Sequence, residues 1–252
     1  MKDLTVIIPI LKLEDKEQKA LFESAVKSAE GAENIIVVGS KEALDSVKRG
    51  AHVTLLENTT DDFSYAAQVN FAVDKVTTKY FSVLEFDDTF TSIWYKNVED
   101  FISSDVDNTF AILPLTEVFD TKLNTIIGYA NEAYWASSFS DEIGVLDLAS
   151  LTEYLNFNVS GAIFLTDEFK ALGGLKASMK LVNWYEFLLR ALYNQKRMYV
   201  IPKVGYIHKV GRDGSVTEEY AKTMSEKEAE WWIELAKKEY YFKQDRKKKY
   251  EE

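Results

Sequence analysis

Cysteine is absent from the 252 residues, which excludes disulfides, thiolate-bound zinc, iron–sulfur clusters and a cysteine nucleophile. Histidine occurs only at His52 and His208, so any metal must sit on carboxylates or on these two imidazoles. The chain has three prolines, Pro9, Pro114 and Pro202, and no Pro/Gly/Ser-rich linker, so a single domain is expected over 1–242. No apolar run approaches the roughly 20 residues that span a bilayer. Met1–Pro9 also lacks the form of a signal peptide, and a cytoplasmic location is the expectation. Positive charge is in deficit: 30 Lys and Arg face 41 Asp and Glu, a net charge of −11. Duplex nucleic acid is therefore disfavoured as a partner, because such interfaces need clustered cations. What the chain does have is 46% hydrophobic and 28% charged residues, the composition of a globular protein with a sizeable core.

The apolar residues fall into alternating strand and helix patterns. Leu4–Ile10 is a continuous β-branched run of the kind buried on both faces of a parallel sheet. Helical spacing over Asp15–Glu30, a strand at Asn34–Val38, a short helix at Lys41–Arg49 and a strand at His52–Leu56 complete a βαβαβ series. Ser64 caps a helix predicted over Tyr65–Val76, and a strand follows at Tyr80–Phe86. After a helix at Ser92–Ser103, Thr109–Val118 and Leu123–Ala130 predict a β-hairpin off the end of the sheet. Asn131–Leu155 has weak periodicity and reads as a mobile region with a short helix near its end. A strand over Phe157–Leu165, a helix starting at Thr166, a helix over Val182–Asn194, a strand at Met198–Ile201 and a long helix over Met224–Tyr241 complete the series. The basic run Arg246–Lys249 reads as a solvated end, or as a contact for an acidic partner or membrane surface. The expected fold class is α/β, Rossmann-like, with a mainly parallel sheet flanked by helices, a small hairpin insertion and a C-terminal helix.

The chemistry concentrates where the strand Tyr80–Phe86 runs into Glu85, Asp87 and Asp88. In open α/β sheets ligands bind outside the carboxyl ends of the strands. Closely spaced carboxylates there can hold Mn²⁺ or Mg²⁺ through one or two oxygens, while a diphosphate and water fill the remaining positions. Such an ion neutralises the charge that builds on a departing nucleoside diphosphate. Asp87 and Asp88 are the metal candidates, with Glu85 beside them. The plainer alternative is an acidic turn facing water.

Taken in order, Val6-Ile7-Ile8-Pro9, Ile35-Ile36-Val37-Val38, Asn70, Leu84-Glu85-Phe86-Asp87-Asp88, Gly161, Leu172-Gly173-Gly174, Glu186 to Arg190 and His208 form a series. It resembles the family 2 glycosyltransferases of the GT-A fold. The resemblance implies a nucleotide-binding half at about 1–108, an acceptor half at 109–215, a C-terminal helix at 216–242 and a basic tail at 243–252. It implies transfer of a sugar from a nucleotide-diphosphate donor to a hydroxyl of a glycan, protein or modified nucleobase, with Mn²⁺ or Mg²⁺ as cofactor. Pro9, Ile10, Gly39, Asn70, Glu85, Asp87 and Arg212 would then face the donor. Asp87, Asp88 and His208 would hold the metal, and Gly173, Gly174 and Trp184 would lie on the acceptor side.

Two positions depart from the family pattern. Gly39-Ser40 stands where an acid usually meets the nucleotide, and Asn183-Trp184 stands where an Asp usually serves as base. An amide and an indole cannot take a proton from a sugar hydroxyl at neutral pH. Glu186 is the base candidate, with Asp141, Glu142 and Asp147 as others, although Glu186 can equally be a helix partner of Arg190. These departures keep a second function open, a GT-A-like binding or assembly module without catalysis. A nucleotidyltransferase is disfavoured because Ile10–Glu14 contains no glycine.

Overall fold

The computed structural model describes residues 1–48, 50, 52–104, 109–131, 144–153, 157–179, 182–211 and 224–251. The first half alternates as the sequence predicts: β1 Leu4–Pro9, α1 Lys16–Ala29, β2 Asn34–Gly39, α2 Lys41–Asp45, β3 Val53–Glu57, α3 Tyr65–Lys75 and β4 Tyr80–Val83. Side-chain caps set three of the helix starts. Asp15 accepts from the Gln18 N–H at 2.8 Å, Ser40 from the Ala43 N–H at 3.2 Å and Ser64 from the Ala67 N–H at 3.4 Å. Next come β5 Thr89–Phe90, α4 Trp94–Ser103, β6 Thr109–Asp120, β7 Thr125–Ala130, β8 Gly144–Leu146 and α5 Leu148–Glu153. The last elements are β9 Ile163–Leu165, α6 Thr166–Ala171, α7 Asn183–Tyr193, β10 Arg197–Val210 and α8 Glu226–Glu251.

All ten strands among the described residues join one sheet in the order β3-β2-β1-β4-β9-β6-β10-β5, with β7 on β6 and β8 on β10. β1, β2, β3 and β4 pair in parallel, as do β6 and β10. β9 is antiparallel to both β4 and β6, so those neighbours share a direction across it. The fold is thus a mixed, mainly parallel α/β sheet flanked by helices. One cluster of buried side chains, including Ile7, Val38, Phe81, Phe164 and Phe187, covers one face. Val6, Ile8, Val37, Trp94 and Tyr206 belong to the cluster on the other. Ile7 and its neighbours Val6 and Ile8 fall in opposite clusters because successive strand side chains alternate, so the whole β1 run is apolar.

Several boundaries differ from the sequence expectation. The hairpin is real, but it grows out of an interior strand: β6 lies between β9 and β10 before extending to pair with β7. The strand expected over Phe157–Leu165 shrinks to Ile163–Leu165, because Gly161 adopts φ +80° and breaks the extended chain. β10 instead continues far past Ile201. Register shifts between Ile201 and Tyr206 absorb Pro202, which cannot donate to a regular ladder. α6 does start at Thr166 as expected, and the buried Thr166 hydroxyl has no partner among the described residues. α8 runs as helix to Glu251, through the segment expected to be a solvated end. Most of Asn131–Leu155 lies outside the described residues, and its described part forms β8 and α5.

Candidate active site

The strand order reverses between β1 and β4, since β2 and β3 lie to one side and the later strands to the other. Such a switch point opens a crevice at the carboxyl ends of the strands. Glu85, Asp87 and Asp88 stand just beyond the end of β4, in a turn closed by the Asp88 N–H on the Glu85 carbonyl at 3.1 Å. They do not form an acidic turn facing water. Asp88 is fully buried and Asp87 is 8% exposed. Asp88 Oδ2 accepts from the Tyr206 hydroxyl and from His208 Nδ1, each at 2.9 Å, and Oδ1 accepts from the Lys209 N–H at 2.8 Å.

Glu85 lies at the other end of the same network. Its Oε1 accepts from the Tyr65 hydroxyl at 2.7 Å and from Ser160 Oγ at 3.4 Å, and its N–H donates to Tyr206 Oη at 3.2 Å. The Trp184 indole N–H in turn donates to Tyr65 Oη at 3.1 Å. Burial, then the charges of Asp87 and Asp88, push the Glu85 carboxyl up to about 7, against the lowering effect of the Tyr65 hydrogen bond. Burial lowers His208, but its hydrogen bond to Asp88 and the surrounding carboxylates outweigh that and raise it. Three acids thus share a water-poor site with one imidazole.

Four elements converge to build this network. α3 supplies Tyr65 from its first turn, α7 supplies Trp184, and the extended end of β10 supplies Tyr206, His208 and Lys209. The turn before β9 supplies Ser160, because an antiparallel strand starts at the edge where its parallel neighbours end. Gly161 is required in that turn: a Cβ there would lie 2.4 Å from the Tyr206 ring. Sequence reading missed Tyr65, Ser160 and Tyr206 as site residues. The one signal for Tyr206 was its period-two spacing from His208, which puts both side chains on one face of a strand.

Other expected site residues serve a different unit. The Asn70 amide is spent on Leu175, donating to its carbonyl and accepting from its N–H, both at 2.8 Å. Arg190 binds the carbonyls of Leu172 and Gly174, the latter at 2.6 Å. Glu186 holds that arginine through Nε at 3.1 Å and Nη2 at 2.9 Å, and meets Lys176 Nζ at 3.0 Å. Asn70, Gly173, Gly174 and Glu186 are therefore parts of a clamp on the 172–175 loop. Glu186 is fully buried between two cations, which is the arginine-partner alternative that the sequence offered for it. Both amide atoms of Asn70 are committed to the Leu175 backbone.

On the donor side, the Ile10 N–H donates to the Val38 carbonyl at 2.8 Å, which joins the end of β1 to β2 just before Gly39. A Cβ at Gly39 would lie 2.9 Å from the Ile10 carbonyl oxygen, so the close approach of Pro9-Ile10 to β2 requires glycine there. Arg212, Asp141 and Glu142 lie outside the described residues, and Asp147 is exposed ahead of α5. Among the described residues, no three His, Asp or Glu side chains converge on a point that could hold a metal ion. A cleft of about 480 Å³ lies between α1 and α4, and one of about 300 Å³ lies beside Asn70 and Gly174. The acids line neither.

No family model matches the sequence, and no curated protein matches it. Solved structures do. S. aureus TarS residues 1–349 in complex with UDP-GlcNAc superposes with a TM-score of 0.61 at 14% identity, covering 86% of this chain and 61% of that one. The fold is of the GT-A type. The same TarS segment with UDP gives 0.57, and without ligand 0.56, each at 14% identity and covering 83% of this chain. This GT-A chain spans about 60% of the length of those TarS chains. No helix among the described residues is long and apolar enough to cross a membrane.

Proposed function

We propose that this chain is a glycosyltransferase that moves a sugar from a nucleotide-diphosphate donor to a hydroxyl acceptor, with Mn²⁺ or Mg²⁺ at the end of β4. The observation that carries the reading is the cluster of half-buried Glu85 and buried Asp87 and Asp88 at the switch point of a GT-A sheet. TarS, of the same fold, has been crystallised with UDP-GlcNAc, which makes UDP-sugars the first donors to test. The residues fit a divalent ion. Burial first, and then the charges of Asp87 and Asp88, raise Glu85, and added positive charge would ease the part that those two charges cause.

Asp87 and His208 Nε2 would hold the ion. Asp88, whose oxygens already take three hydrogen bonds, orients the imidazole through Nδ1 in the manner of carboxylate-backed metal histidines. The ion would stabilise negative charge on the leaving diphosphate. Two protein ligands suffice when the diphosphate and water complete the shell, as is usual for Mg²⁺.

A second reading rests on its own observation. Asn183-Trp184 occupies the place of the usual base, and Glu186 is locked in ion pairs. A GT-A-like binding or assembly module without transfer would look the same. Thermal-shift measurements with UDP-, GDP-, CMP- and dTDP-sugars, with and without Mn²⁺, separate the two. The enzyme reading expects one donor to stabilise the chain in the presence of Mn²⁺ and to be turned over when acceptor hydroxyls are supplied. Donor binding without turnover favours the module, and no nucleotide binding at all removes both donor and metal from the account.

A further inference from the structure

The last helix of the sequence carries a feature that sugar transfer does not use. Trp232 and Ile233 pack against the core and Ala236 is fully buried, which fixes α8 against α7. The opposite side is left outward: Trp231 is 54% exposed, Leu235 is 39% exposed, and Lys238 on the same face is exposed too. Charge is segregated along the chain. Residues 237–252 contain seven Lys and Arg against four Asp and Glu, net +3, whereas residues 1–236 contain 23 against 37, net −14.

We propose that α8 docks this protein on the surface of an anionic lipid bilayer. A helix that lies in the interface needs apolar and aromatic side chains beside a cationic run, so that the first enter the headgroup boundary while the second meet lipid phosphates. Trp231 and Leu235 supply the apolar contact, and the run Arg246–Lys249 supplies the charge. An acidic protein or a nucleic acid would use the cations but gain less from an exposed indole and leucine. The negative remainder of the chain does not prevent docking. Arg246 lies about 15 Å along the helix from Ala236, beyond the roughly 8 Å over which charges act at physiological salt. The helix is too polar to span the bilayer and would lie on it.

The test is co-sedimentation of the full chain with vesicles of phosphatidylcholine containing about one-third phosphatidylglycerol, against phosphatidylcholine alone. Binding is expected to the anionic vesicles and not to the neutral ones. Replacing Arg246, Lys247, Lys248 and Lys249 together by Gln should weaken it by about a hundredfold or more. The pair Trp231→Ala and Leu235→Ala should weaken it at least about tenfold. Trp231 and Leu235 are outward positions, and circular dichroism checks that each variant remains folded. Failure to bind anionic vesicles, equal binding to neutral ones, or binding unaffected by the four Gln replacements would each overturn the proposal. So would self-association of the chain, measured by light scattering, that the four Gln replacements abolish. None of these readouts depends on sugar transfer, so the proposal can fail while the enzyme reading stands.

Discussion

Asp87 and Asp88 are adjacent and chemically identical, yet the structure gives them different work. Asp88 is fully buried with three donors on its carboxylate, so removing that carboxylate strands Tyr206, His208 and the Lys209 N–H. Asp88→Ala is expected to cost about 3 kcal/mol or more in urea unfolding. Asp87→Asn keeps the volume and removes one of the charges that disfavour ionised Glu85, so its stability should stay within about 1 kcal/mol of the parent. The same substitution should abolish Mn²⁺-dependent nucleotide binding in calorimetry. Equal stability losses in the two variants would show that Asp87 is structural as well. At the loop, Gly174 has φ +64°, and a Cβ there would lie 2.5 Å from Asn70 Oδ1, so Gly174→Ala should lower stability by about 2 kcal/mol or more. Gly128→Ala meets nothing within 4 Å and should be close to neutral.

Among the elements, α7 carries two structural units in adjacent turns. Its first turn offers Trp184, whose indole stacks on Phe164 with centroids 5.4 Å apart and hydrogen-bonds Tyr65. Its middle offers Glu186, which with Arg190 and Lys176 fixes the glycine loop. Glu186→Gln leaves two cations poorly compensated beside a buried amide, and a loss of about 3 kcal/mol or more in chemical denaturation is expected. A general base would behave otherwise: turnover would fall about a hundred- to ten-thousand-fold with stability nearly unchanged. Measuring both quantities on one variant distinguishes the roles. The helix periodicity of Val182–Asn194 was plain in the sequence. The use of Glu186 was not, because a carboxylate four residues before an arginine fits a surface pair, a buried clamp or a catalytic acid equally well until burial is known.

Across the whole molecule, one continuous sheet carries a core on each face, and the N-terminal and C-terminal halves share it through β4, β9 and β6. Equilibrium unfolding should therefore show one transition, with tryptophan fluorescence and far-ultraviolet circular dichroism coinciding. Trp94 belongs to one core and Trp184 packs on the other, so fluorescence samples both faces. Two separated transitions would mean that the halves fold as independent domains.

The sequence by itself determined the elements of the first half, their parallel pairing and the place of the acids. Those features follow from local causes: unbroken β-branched runs, helical periodicity, and capping residues at Asp15, Ser40 and Ser64. Only the tertiary structure decided what the acids touch. Tyr206, His208 and Lys209 reach Asp88 from 118 to 121 residues away, and Trp184 reaches Tyr65 across 119. No periodicity encodes those pairings. The reversed β9, the passage of β10 over Pro202 and the burial of Glu186 likewise depend on which strands become neighbours. Strand alternation fixes which face a residue occupies, but the fold chooses the partner on that face, and a carboxylate's chemistry follows from its partner and its distance from water.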